Sequence, residues 1–165
     1  MDDSIIFYAS LIELPQMLQW VHLKLQTYGI EKKKSKHLEL ALEEALQLKP
    51  AKIIVVGFFG GREDHVLGHY VLMQKYAHET EIEIIGNDFT LYVVTQHKKL
   101  IGKIGDRVSL ITLNSDGAAV STTGLKYTLS QEKILPSSLG ISNEAADEDF
   151  SVEVYAGVLF LFHYK

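Results

Sequence analysis

Residues 53–59 read Ile-Ile-Val-Val-Gly-Phe-Phe, an almost unbroken apolar run rich in β-branched side chains. Such a run fits a strand buried on both faces, as in a parallel sheet. Gly60 and Gly61 follow, and a helical stripe of Val66, His69 or Tyr70, and Met73 predicts a helix over about 62–77. Residues 82–85 read as the next short strand. Strand, helix and strand in this order predict a right-handed βαβ unit. Upstream, residues 5–8 are a further short apolar run. Leu14, Met17, Leu18, Val21 and Leu25 then recur at helical spacing, with Pro15 suited to the first turn and Gly29 placed to stop the helix. Leu38, Ala41, Leu42, Ala45 and Leu46 form another amphipathic stripe, ended by Pro50.

The pattern changes at Gly86-Asn87-Asp88. Beyond it no helical period appears. Residues 91–94, 99–104, 108–113, 118–122, 127–129, 152–155 and 158–162 read as short strands separated by turn residues. The expected fold class is therefore an α/β parallel-sheet nucleotide-binding part followed by an all-β sandwich. The expected domains are 1–87, the α/β part, apparently incomplete, and 88–165, the sandwich. No helix longer than two turns is expected after residue 88.

The chain has 165 residues, 47% of them apolar, enough for a packed core. Its formal net charge of -5 argues against nucleic acid, which selects a basic face. The basic run Lys32-Lys33-Lys34-Ser35-Lys36 reads as a solvated loop. The absence of cysteine removes disulfides and thiolate chemistry. No apolar run approaches the ~20 residues that span a bilayer, and no secretory signal is visible. The expectation is a cytoplasmic protein with no membrane partner.

Chemistry concentrates in Gly57-Phe58-Phe59-Gly60-Gly61-Arg62-Glu63-Asp64-His65. Ligands of parallel α/β sheets bind beyond the carboxyl ends of the strands. Gly60 and Gly61 allow close backbone approach, and a helix start presents N–H groups to phosphate. Arg62 adds a fork for bidentate phosphate contact, and Asp64 would hold Mg²⁺ or a polar substrate group. A glycine turn with a capping Asp and a surface Arg is the bland alternative, and on residue types alone the two weigh about evenly. His65 and His69 lie four apart, a zinc-binding spacing, but Val66 stands where a metalloprotease carries Glu. A hydrogen-bonded helix histidine is the preferred reading. Later, Gly124-Leu125-Lys126-Tyr127 and Gly140-Ile141-Ser142-Asn143-Glu144 look like loops. Tyr127 offers a flat face with a polar tip, and Ser142 and Asn143 offer compact donors and acceptors. By themselves these fit a core tyrosine and an Asx turn better than a heteroaromatic pocket.

Four strings together say more. Gly-Gly-Arg-x-Asp-His at 60–65 resembles the thiamine pyrophosphokinase family, as do Gly-Asp-Arg-Val-Ser-Leu at 105–110, Thr-x-Gly-Leu-Lys-Tyr-x-Leu at 122–129 and Ser-Asn at 142–143. Their order and spacing match over roughly residues 38–163, including the last apolar strand around Gly157. The resemblance implies transfer of pyrophosphate from ATP to thiamine, with Mg²⁺, giving thiamine diphosphate and AMP. It implies Arg62 and Asp64 as catalytic residues. It implies Gly60, Gly61, Arg62, His65 and Lys33 around the nucleotide. It places Tyr127, Ser142 and Asn143 by thiamine, in the sandwich domain. It also implies a homodimer with thiamine near the subunit interface, and the run 158–162, apolar on both faces, adds to that expectation.

The chain departs from the family in three places. Where the family has Asn, His69 stands. Lys33-Lys34-Ser35-Lys36-His37 replaces Lys-Asp-x-Thr-Asp, keeping Lys33 but losing both carboxylates. An Asp-Gly-Gly loop is absent, and Asp2-Asp3-Ser4 is at most a remnant of a second acidic loop, making Asp3 a weak metal ligand. The reading is thus a shortened or degenerate member. The alternative is a relative that binds thiamine, its diphosphate or a nucleotide without turnover. A hydrolase using Asp64 and His65 ranks third, weakened by the lack of a Gly-x-Ser-x-Gly elbow.

Overall fold

The structure is a computed structural model that describes residues 4–8, 38–59 and 62–165. The expected helix over 14–25 lies outside them. Strand β1 (Ser4–Tyr8) is followed by α1 (Leu38–Gln47), β2 (Lys52–Val56), α2 (Glu63–Tyr76) and β3 (Glu81–Ile85). Eight strands follow: β4 (Phe89–Val94), β5 (His97–Ile101), β6 (Arg107–Ile111), β7 (Ala118–Thr123), β8 (Glu132–Ile134), β9 (Asn143–Glu144), β10 (Asp149–Ala156) and β11 (Leu159–Tyr164). From residue 88 on there is no helix, in line with the lost helical period. Among the described residues no helix is long and apolar enough to cross a membrane.

The strands form a seven-stranded sheet, β1-β2-β3-β4-β11-β6-β9, and a four-stranded sheet, β5-β10-β7-β8. This corrects the expected fold class. There is no separate α/β parallel-sheet part. The chain is mostly β, with two helices among the described residues, and seven of the nine strand pairings are antiparallel. The parallel pairs β1–β2 and β2–β3 form one end of the larger sheet. At Gly86-Asn87-Asp88 a hairpin turns β3 back onto β4, Ile84 pairing with Leu91, so the sheet runs on through the change of pattern. A short apolar run announces a strand but not its neighbour, and here the neighbours are mainly antiparallel.

The two sheets and two helices make two cores. On one face of the large sheet, Leu42 and Ala45 of α1 and Met73 and Tyr76 of α2 pack on Ile53, Val55, Ile82, Ile84, Leu91, Val93, Phe160 and Phe162. On the other face, Val94, Val108, Leu110, Leu159 and Leu161 meet Leu100, Val120, Val152 and Val154 of the small sheet. β11 alternates between them: Phe160 and Phe162 enter the helix-side core, Leu159 and Leu161 the sandwich core. The run 158–162 is thus covered on both faces within one chain, and the argument for a dimer drawn from it is withdrawn.

Element ends differ from the expectations where polar or short segments pair. β2 stops at Val56, because Gly57 turns at φ 69°. Residues 127–129 are not a strand; Leu129 instead donates its N–H to Thr122 Oγ1 at 2.9 Å. The short, polar β8 and β9 carry no apolar alternation that would reveal them.

One family string is largely structural. In residues 105–110, Asp106 Oδ2 lies 2.8 Å from Nε2 of His163 on β11, whose side chain is 1% exposed, and accepts the Lys103 N–H at 2.8 Å. Burial works to raise the Asp106 carboxyl, but the Lys103 amide and the His163 ring outweigh it and hold it below the ordinary carboxylate range. Ser109, also buried, accepts the Ser142 N–H at 3.1 Å.

Two outcomes follow from this packing. Phe160→Ala, which empties a 1%-exposed site on β11, should cost ~3–5 kcal/mol in urea unfolding. The Asp106 carboxyl binds its proton less readily folded than unfolded. Its stabilisation is full above the unfolded value of ~3.9 and is lost as pH falls through the lower folded value. Thermal midpoints measured from neutral to acid pH should therefore fall less steeply for Asp106→Asn than for the wild type.

Candidate functional site

The large sheet has one edge where both groups of expected site residues gather. β2 ends at Val56, opposite Ile85, and Ile85 lies opposite Thr90. Tyr164 pairs with Phe89, His163 with Val108, and Arg107 with Glu144. The carboxyl ends of β2, β3 and β11 thus share an edge with the starts of β4 and β6 and with β9. This is the edge at which a parallel sheet offers helix starts to ligands.

At its first end stands the start of α2. Arg62 is the cap residue, extended at φ -68° and ψ 143°, and its side chain makes no cap hydrogen bond. It instead forks onto Asp64: Nε donates to Oδ1 at 3.1 Å, and a terminal nitrogen donates to Oδ2. Asp64 Oδ1 also accepts the His65 N–H at 3.0 Å. The hydrogen bond from Arg62 lowers the Asp64 carboxyl, and Asp64 raises the guanidinium in turn. Both side chains are well exposed, so the pair adds little to stability. Its effect is to hold a guanidinium at the positive end of a helix, where an incoming phosphate can take the carboxylate's place.

The two histidines do not form a metal pair with a third ligand. Their rings are 6.4 Å apart, and among the described residues no group of three His, Asp or Glu could hold a metal ion. His65 is exposed. His69 lies edge-on to Phe58 at 5.2 Å, and burial pushes its imidazole below the ordinary value against a pull from the Phe58 carbonyl. Its Nδ1 is buried and has no hydrogen-bond partner among the described residues. Gly60, Gly61, Lys33 and Asp3 lie outside the described residues.

At the far end stand Tyr127, Ser142 and Asn143. Asn143, 8% exposed, spends its side chain on backbone. Oδ1 accepts the N–H groups of Tyr127 at 3.1 Å and Glu144 at 2.8 Å, while Nδ2 donates to the Tyr127 carbonyl at 2.8 Å. Asn143 therefore fixes the loop that displays Tyr127, whose ring is 64% exposed. Ser142 sits at φ 65°, exposed, held through its N–H by Ser109. Lys126 and Glu144, missed in the sequence, pair beside them at 3.0 Å. Both stand within strings singled out in the sequence, but neither was given a role there.

β2 and β9 are five positions apart in the strand order, so the two ends stand ~24 Å apart at ~4.8 Å per strand. Both groups therefore lie on one edge but not in one pocket of one chain. A cleft of about 420 Å³ lies at the opposite edge, between residues 77–82 and 92–98. Lys98 bridges its carboxylate Glu81 to Glu83, at 2.8 Å from the latter.

Comparison with known proteins gives a family for the chain. Residues 93–159 match the family model described as thiamin pyrophosphokinase, vitamin B1 binding domain. A thiamine pyrophosphokinase of Bacillus subtilis is 31% identical over 141 residues, which cover 83% of this chain and 65% of that protein. The chain thus spans just under two thirds of the length of this curated relative. The crystal structure of thiamine pyrophosphokinase from Bacillus subtilis superposes with a TM-score of 0.72 at 23% identity, covering 98% of this chain and 78% of the other. That from Geobacillus thermodenitrificans gives 0.69 at 27% identity, covering 96% and 76%. A thiamin pyrophosphokinase family protein from Enterococcus faecalis gives 0.68 at 14% identity, covering 98% of both chains. The matched segment takes in Tyr127, Ser142 and Asn143, the sequence relative reaches across most of the chain, and the folds superpose. The family model, the sequence relative and the structural neighbours all point to the thiamine pyrophosphokinase family.

Proposed function

We propose that this protein binds ATP at the start of α2 and thiamine at the Tyr127 loop, and transfers pyrophosphate between them. The observation that carries the reading is the shared edge: the Arg62 fork and the Asn143-latched loop open on the same side of one sheet. In the reaction the thiamine hydroxyl oxygen attacks the β-phosphorus, the bond from that phosphorus to the α-phosphate bridging oxygen breaks, and AMP leaves. The hydroxyl proton passes to solvent or to a basic side chain. Negative charge spreads over phosphate oxygens, and fixed cations stabilise it. Arg62 supplies one such charge. Gly60, Gly61, His65 and Lys33 complete the proposed nucleotide surroundings.

Mg²⁺ suits this chemistry as part of the nucleotide complex, which supplies phosphate oxygens and asks for one or two carboxylates. Asp64 is the carboxylate singled out at the start of α2, and its oxygens are already engaged by Arg62. The described residues therefore do not fit a resident metal.

Because the two ends are ~24 Å apart in one chain, the reading pairs the phosphate end of one copy with the thiamine end of another. We accordingly propose a homodimer, with residues 1–87 carrying the phosphate end and 88–165 the thiamine end. The setting would be cytoplasmic. A second reading is a relative that binds without turnover. Lys34 and His37, in place of the two family carboxylates, favour it by putting positive charge where acids are expected.

Calorimetry and a product assay separate these. Arg62→Ala should weaken ATP binding at least ~tenfold, the scale of a lost charge-assisted hydrogen bond, and leave thiamine binding alone. Asn143→Ala should release the Tyr127 loop. It should weaken thiamine binding, cost ~1–3 kcal/mol of stability for the unsatisfied backbone groups, and keep ATP affinity. AMP formation from ATP and thiamine supports the transferase. Binding of both without AMP supports the second reading, and binding of neither by the wild type rejects both.

A further inference from the structure

We propose that a half-exposed aromatic rim on the same edge, formed by Phe59, Phe89 and Tyr164 with the Arg107 guanidinium, seats the base of the nucleotide. The proposal rests on the reading that ATP phosphates lie at the start of α2, and it names where the rest of that ligand goes.

Four separate elements build the rim. Phe59 follows β2, Phe89 opens β4, Tyr164 ends β11 and Arg107 opens β6. The three rings border the helix-side core while keeping part of their surface exposed, unlike Phe58 and Phe160, which are 1% exposed. Phe59 meets Phe89 edge-on at 5.2 Å, and Phe89 meets Tyr164 at 5.1 Å. The rings therefore form a continuous band. The Arg107 guanidinium lies over the Tyr164 ring at 5.8 Å. Arg107 is exposed.

Two features mark the rim as more than leftover core. A Cβ on Gly86 would come within 2.6 Å of the Phe89 ring, so the ring lies against bare backbone and the turn has no room for a side chain. The band also begins three residues before Arg62, the proposed phosphate ligand. β4 is two strand positions from β2, ~10 Å, a span comparable with that from the β-phosphate of a nucleoside triphosphate to its base. Flat bases stack on aromatic rings whatever their hydrogen-bonding edge, and a guanidinium stacks on both bases and aromatics. A phosphate fork at one end and a stacking band with a planar cation beyond it match a nucleotide in chemistry.

The test titrates the full chain with AMP, adenosine and inorganic pyrophosphate by calorimetry. Tyr164→Leu should weaken AMP and adenosine about tenfold, the loss of one stacking contact, while Tyr164→Phe keeps affinity. Arg107→Gln, an exposed change that leaves the core untouched, should weaken AMP as well. Pyrophosphate binding should be unaltered in all three and lost in Arg62→Ala. Unchanged AMP affinity in both Tyr164→Leu and Arg107→Gln overturns the base seat and leaves the phosphate reading standing. So does a wild type that binds pyrophosphate but neither AMP nor adenosine. A wild type that binds no phosphate ligand overturns both. If Tyr164→Leu weakens thiamine and spares AMP, the rim belongs to the other substrate and the proposal is wrong.

Discussion

The structure depends on β11 being buried on both faces. A strand in a two-layer sandwich normally shows one face to a core, and a strand under helices shows the other. β11 does both, with Leu159 and Leu161 in one core and Phe160 and Phe162 in the other. It also pairs on both edges, with β4 and β6. The apolar side chains of residues 159–162 are therefore buried inside the chain on both faces of the strand. Through it the helix layer and the sandwich are held in one register. Tyr70 of α2 packs its ring against Phe160 at 5.6 Å, so the helix that begins with Arg62 is placed by the same strand that ends at Tyr164.

Small polar groups do the fine positioning. Asn143, Ser109 and Asp106 sit in strings that invite a catalytic reading, yet each is spent on protein. Asn143 holds the Tyr127 loop, Ser109 holds Ser142, and Asp106 joins a loop to His163. A buried amide or carboxylate must find partners, and loops without a ladder of their own supply them. They hold in place the residues on display at this end, namely Tyr127, Ser142 and the Lys126–Glu144 pair. At the other end the logic is reversed: Arg62 and Asp64 are exposed and paired with each other.

The legible parts of the chain were those whose signal is local. α1 and α2 follow from apolar residues at helical spacing, and most of the strands from 89 onward, though not β8 and β9, follow from short apolar runs between turn residues. The strings around Arg62, Tyr127 and Asn143 could be picked out because glycines, a fork and an aromatic stand together in sequence. Strand partners could not be read in this way. The run 53–59 carries the composition of a parallel strand and indeed pairs in parallel, but the same apolar character in 82–85 suits a strand that is parallel on one side and antiparallel on the other. Hence the expected α/β part merged into a mixed sheet. β8 and β9 were invisible because edge strands two or three residues long need no apolar face.

What the sequence by itself determined is the set of elements, their order and the residues able to do phosphate and ring chemistry, because periodicity and residue type are properties of neighbours along the chain. Only the tertiary structure decided that β11 lies between β4 and β6. That single placement brought Phe89, Tyr164 and Arg107, widely spaced in sequence, onto one edge. It also covered 158–162 within the chain and set the Arg62 and Tyr127 groups five strands apart. The reason is physical: an apolar run is equally content against any partner of matching shape, and which partner it meets is settled by how all the layers close together.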